Sequence, residues 1–119
     1  MKLLTQPLRN ALLRNGTLRR QFQEDGKVEP DFLPVVKLFT PDASCTWLLT
    51  EIDPDEPDIA FGLCDVGFGC PEVGSVSLSE IEALRGKLGL PVERDLHFCP
   101  VKTISAYAAE ARAAGQIKA

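Results

Sequence analysis

At 119 residues, with 45% hydrophobic and 25% charged side chains, the chain is sized and composed for one globular domain (1–119), not for two domains or a disordered tail. A formal net charge of -4 argues against adhesion to nucleic acid or membrane through a general basic field, though not against a local basic patch. No apolar run reaches the roughly 20 residues of a membrane-spanning helix and no signal-peptide core is visible, so the expectation is a cytoplasmic protein without membrane contact, its four cysteines free and mostly buried.

Residues 5 to 15 predict the first helix, with Thr5 as cap, Pro7 in the first turn, Leu8, Ala11 and Leu12 at helical spacing and Asn15-Gly16 as the stop. Lys2, Arg9, Arg14, Arg19 and Arg20 occur in the first twenty residues with no acid among them. Gln21 to Pro34 reads as a loop with at most one helical turn near Phe22, because Gly26, Pro30 and Pro34 break any period. Val35 to Phe39 and Cys45 to Ile52 read as strands joined antiparallel through the turn-forming Thr40-Pro41-Asp42-Ala43-Ser44.

Asp53 to Asp58, with two prolines and four acids, predicts an exposed, self-repelling loop. Ile59 to Cys64 alternates bulky (59, 61, 63) with small (60, 62, 64) side chains, which suits a strand whose small face admits a close neighbour. A glycine-rich excursion from Asp65 to Gly74 leads to a short strand over Val73 to Ser77. Capping-box spacing at Ser77/Glu80 and Ser79/Glu82 then starts a helix near Leu78, with Ile81, Leu84 and Leu88 as its inner face and Gly86 and Gly89 at its end. Leu96 to Cys99 reads as the last strand, and Ile104, Tyr107, Ala108 and Ala111 as one face of a C-terminal helix capped by Thr103 or Ser105 and ending at Gly115. This order predicts an α+β fold: a mainly antiparallel, curved sheet of about five strands with N-terminal, middle and C-terminal helices packed on it.

Several fragments recur together in a known family. Val36-Lys37-Leu38-Phe39-Thr40-Pro41-Asp42, Thr46-Trp47 with Thr50-Glu51, Phe61-Gly62-Leu63, Ser77-Leu78-Ser79-Glu80 and Gly89-Leu90-Pro91-Val92-Glu93-Arg94-Asp95-Leu96 resemble, in order and spacing, the family called domain of unknown function 2958. The resemblance spans about residues 33–100. It implies a small bacterial or phage protein of the kind carried on plasmids and integrating elements, and it supplies no catalytic residues. The cysteines depart from the family pattern, as does His97 where an aromatic such as tyrosine is expected; both departures argue against family-wide roles for these groups.

No candidate chemistry is complete. The cysteines lack zinc-knuckle spacing, and buried thiols account for them more simply; neither a metal nor a cofactor is expected. A Cys45–His97 nucleophile and base pair has no local signature behind it. Gly67, Gly69 and Gly74 match neither dinucleotide nor P-loop spacing. The acidic loop lacks calcium-loop register. Asp42, Trp47, Glu51, Glu93, Arg94 and Asp95 remain as a candidate functional surface, with Glu51 on the same strand face as Trp47 and Leu49, and Arg94 free to anchor a carboxylate or to enter a cleft with Asp42 and Trp47.

The favoured expectation is a non-enzymatic accessory protein that binds a protein partner through Trp47 and the acidic loop. Two alternatives stand beside it: nucleic-acid contact through Lys2, Arg9, Arg14, Arg19 and Arg20, and a small hydrolase or transferase built on Asp42, Glu51 and Arg94. Homodimer formation through an exposed strand edge is also open.

Overall fold

The computed structural model describes residues 2–119. In chain order it contains α1 (Gln6–Glu24), β1 (Val36–Phe39), β2 (Thr46–Ile52), β3 (Ile59–Asp65), β4 (Glu72–Ser77), α2 (Leu78–Ala83), β5 (Glu93–Arg94) and α3 (Ile104–Ala114). The five strands form one antiparallel sheet in the order β4-β3-β2-β1-β5. The first four make a meander, and β5 returns to the free side of β1. The architecture is α+β, with the elements in the predicted order.

Side chains of the sheet alternate between two cores. Val36, Leu38, Trp47, Leu49, Ile52 and Ala60 pack on one face with Leu3, Leu4, Leu12, Leu78, Ile81 and Val92 from the N-terminal arm, α1, α2 and the approach to β5. Leu48 and Leu63 pack on the other with Ile104, Tyr107, Ala108 and Ala111 of α3. The small face of β3 is buried at Ala60 and Gly62, whereas the bulky Ile59 and Phe61 stay half-buried.

α1 runs nine residues past the predicted stop at Asn15. Thr5 caps it as expected, its hydroxyl accepting from the Leu8 N–H at 3.3 Å. Gly16, however, is a packing glycine: a Cβ there would run into the carbonyl of Ile52 and crowd Pro54. Asn15 likewise faces the sheet, its Nδ2 donating to the Thr50 carbonyl at 2.9 Å. The stop lies one motif later, where Gly26 takes φ +67° and the Lys27 N–H donates to Phe22 at 2.9 Å.

The predicted strand at Leu96–Cys99 is absent. β5 comes earlier, with Arg94 opposite Leu38 and Glu93 opposite Phe39. Asp95 ends the ladder because its carboxylate accepts the His97 N–H at 2.9 Å, and this local turn outcompetes further pairing. α2 is shorter than predicted as well. Only Leu78 and Ile81 of it are buried, while Leu84 and Leu88, assigned to its inner face, are 39% and 80% exposed. α3 starts after Thr103 and ends at Gly115 as predicted.

Candidate functional site

The basic first helix and the acidic loop meet within the molecule. Arg20 bridges Asp53 (3.2 Å) and Asp55, and Arg19 bridges Glu29 (3.0 Å) and Glu51 (2.8 Å) while stacking 4.6 Å above the Phe61 ring. The loop is therefore neither solvated throughout nor self-repelling. Asp53 also accepts the Asp55 N–H, and backbone hydrogen bonds of this kind hold its pKa below the ordinary value. Asp58 is spent on α2, accepting from the Ser77 hydroxyl (2.7 Å) and from the hydroxyl and N–H of Ser79, contacts that lower its pKa.

Glu51 does not share a face with Trp47 and Leu49. The β2–β3 register shifts between Leu49 and Glu51, so Glu51 lies opposite Phe61 on the face of Leu48 and Leu63. Its side chain is 7% exposed. Burial raises its pKa, against the opposing pull of Arg19 and the Thr50 hydroxyl.

Asp42 is a clamp. Its Oδ2 accepts the backbone N–H groups of Leu88 (2.7 Å) and Leu90 (3.3 Å), and its buried Oδ1 sits where a Cβ on Gly86 would be. The chain from Gly86 to Leu90 closes on itself through Gly86 N–H to the Leu90 carbonyl (3.1 Å) and Gly89 N–H to the Gly86 carbonyl (3.0 Å). The loop so fixed holds Leu88 and Leu90 in solvent, 80% and 42% exposed. Trp47, in contrast, is 5% exposed and belongs to the core. It cannot be the centre of a surface that meets a partner.

Arg94 takes neither of its expected roles. Its Nη1 donates to the carbonyls of Lys2 (3.2 Å) and Leu3 (2.8 Å) and so ties the N-terminal arm against the sheet. Asp95 lies 3.6 Å from Lys37. Glu93 borders a cleft of about 860 Å³ with Lys2, Arg9, Glu82 and Arg85 over Leu3, Leu4 and Val92. Among the described residues, none of those five charged side chains forms an ion pair.

The six candidate residues thus disperse. Asp42 and Glu51 sit at opposite ends of β2, Trp47 is in the core, Arg94 is a tether, and Glu93 and Asp95 line different depressions. A carboxylate–arginine active site at Asp42, Glu51 and Arg94 does not exist in this fold. For nucleic acid, Arg19 and Arg20 are already paired, which leaves Lys2, Arg9 and Arg14 of the five candidate cations without an ion pair among the described residues.

Cys45 packs on the α1 side of the sheet, whereas His97 lines a depression with Lys102 and Tyr107 on the α3 side, so the two form no dyad. The four thiols are free, but the expectation that most are buried fails: Cys45 and Cys64 are half-buried, and Cys70 and Cys99 are exposed. Burial pushes the Cys64 thiol up to about 11, so it stays protonated at neutral pH. Among the described residues no group of three or more His, Cys, Asp or Glu side chains is placed to hold a metal ion, and no helix is long and apolar enough to cross a membrane.

Sequence reasoning missed the exposed leucines of the loop after α2. Their spacing from Ile81 imitates a helix face, and the only local sign against that was the glycines at 86 and 89. A family model described as "Protein of unknown function (DUF2958)" matches residues 3–118, a wider span than the fragments suggested. No curated protein and no solved structure matches the chain.

Proposed function

We propose, from the premise that the chain belongs to this DUF2958 family of proteins of unknown function, that it is a non-enzymatic module that meets a protein partner with the loop between α2 and β5. The observation that carries this is the Asp42 clamp. A carboxylate with one buried, unpartnered oxygen is committed to fixing two backbone N–H groups, and what it fixes is a pair of solvent-exposed leucines. Apolar side chains presented on a fixed backbone suit protein recognition, because the ordering cost of that backbone is met before binding. Leu88 and Leu90 form the apolar centre, flanked along the chain by the charged Arg85, Lys87 and Glu93. An accessory role in the cytoplasm, in the setting of a mobile element, belongs to the same proposal and draws on the family resemblance.

The test is site-specific photocrosslinking in cells that carry the protein naturally. A photoreactive residue in place of Leu88 is expected to give a discrete protein adduct that Asp42→Asn weakens several-fold. The same residue in place of Val28, which is 91% exposed beyond α1, is expected to give none. Equal adducts at both positions, or none at 88, would overturn the proposal.

A further inference from the structure

β4 is an open sheet edge. It is the outermost strand on its side, six residues long, and pairs with β3 in unbroken register from Ile59↔Ser77 to Cys64↔Glu72. The Leu78 N–H donates to the Asp58 carbonyl at 2.8 Å, in line with that register. Antiparallel pairs alternate between hydrogen-bonded and non-bonded, so Val76, Gly74 and Glu72 direct their backbone groups at β3, while Val73 and Ser75 direct both of theirs outward and Ser77 its N–H alone, its carbonyl being taken up at the N-cap of α2.

Natural edges are commonly blunted by lysine, proline, a bulge or a covering element. Glu72-Val73-Gly74-Ser75-Val76-Ser77 has no lysine, proline or bulge. The opposite edge needs no such device, since β5 is only two residues long.

Beside this edge lies a depression of about 330 Å³ lined by Ser75, Val76 and Ser77 of β4, Glu80, Ile81 and Leu84 of α2, and Trp47 and Ile59. The rim carries Glu80, and Glu72 lies at the far end of the strand. Both are exposed, and neither has a hydrogen-bonded or ionic side-chain partner among the described residues. No cation lines the depression.

We propose that β4 and α2 together receive an extended segment of a partner protein as a sixth strand, with an apolar side chain in the depression and basic residues facing Glu72 and Glu80. Backbone pairing at Val73, Ser75 and Ser77 supplies the affinity, and the pocket with its acidic rim supplies the selectivity. A second copy of this chain is the poorer occupant, because its own edge would bring the same two glutamates and no cation. The inference shares with the proposed function only the idea of a protein partner; Leu84 belongs to this depression, and Leu88 and Leu90 do not line it.

The probe is a displayed library of random linear decapeptides panned against the full chain. The expected result is enrichment of sequences with basic residues in alternation around an apolar anchor. Their titration should shift the amide resonances of Val73, Ser75 and Ser77, while Leu88→Asp leaves the binding unchanged. Ser75→Pro removes one outward N–H at an edge position where proline is tolerated, and should weaken binding about tenfold with thermal unfolding unchanged. The charge reversal Glu72→Lys with Glu80→Lys leaves the ladder intact and should switch the enriched sequences from basic to acidic. Absence of enrichment, enrichment indifferent to the charge reversal, or sedimentation showing the edge occupied by a second copy would each overturn the proposal.

Discussion

Glu51 shows how one buried side chain can oppose the acid response of its neighbours. Its carboxylate is paired with Arg19 at 2.8 Å, yet the loss of water outweighs that attraction and its pKa lies above the ordinary 4.5. The folded state therefore holds this proton more tightly than the unfolded chain does. What Glu51 contributes is fully present below the ordinary value and is lost as pH rises through the raised one. Glu51→Gln keeps an acceptor for Arg19 and fixes the neutral form, so the variant should gain on the wild type in urea unfolding curves as pH rises from the ordinary carboxylate value through the raised one. A gain in the opposite direction would mean that the Arg19 attraction dominates. Asp53 and Asp58 run the other way: their pKa values are lowered, and their contributions are present above the ordinary carboxylate value and lost as pH falls through the lowered ones.

At the scale of elements, the join between α1 and β2 sets the fold's tightest approach. Alanine in place of an exposed helix-interior glycine normally stabilises by about 1 kcal/mol. At Gly16 the added methyl meets the Ile52 carbonyl, so Gly16→Ala should instead destabilise by about 1–3 kcal/mol, as overpacking does. Thr17→Ala, one residue on at an exposed position, is the control and should fall within about 0.5 kcal/mol of neutral in the same denaturation experiment.

That join also explains why α1 was foreseen too short. Asn15-Gly16 carries a stop signal in sequence, and only the neighbouring strand, 35 residues away at Thr50, converts it into a contact. Elements whose signals are local were legible: the β1–β2 hairpin from its proline turn, the start of α2 from Ser77, and α3 from Thr103 to Gly115. Elements decided by tertiary partners were not. The bulge before Glu51 moves a candidate residue to the other face; the turn at Asp95 is the exception, a local signal that goes unread because Leu96 and Phe98 imitate a strand. The candidate surface fared worse for the same reason, since the bond from Asp42 to Leu88 spans 46 residues and no local pattern announces it.

Over the whole molecule, each core is closed by one end of the chain, and each end is held by polar side chains of the sheet: Arg94 at the first, Asp65 and Lys37 at the second. Arg94 in β5 grips the Lys2 and Leu3 carbonyls and so seats Leu3 and Leu4 in the core under α1. Asp65, 5% exposed at the end of β3, accepts the Ile117 N–H at 3.0 Å and the Gly67 N–H at 2.9 Å, which brings the tail after α3 onto the other core. Each tether works by satisfying backbone groups that would otherwise be stranded as the arm packs, so Arg94→Gln and Asp65→Asn should each cost about 1–3 kcal/mol. The two sites act on opposite faces and share no hydrogen-bond partner, so the double variant should equal the sum of the singles within about 0.5 kcal/mol. The sheet belongs to both cores, so unfolding of all three variants should remain a single transition by fluorescence and by circular dichroism. A coupling well above that limit would show that the chain ends communicate through the sheet, and a split transition would show that the two cores melt apart.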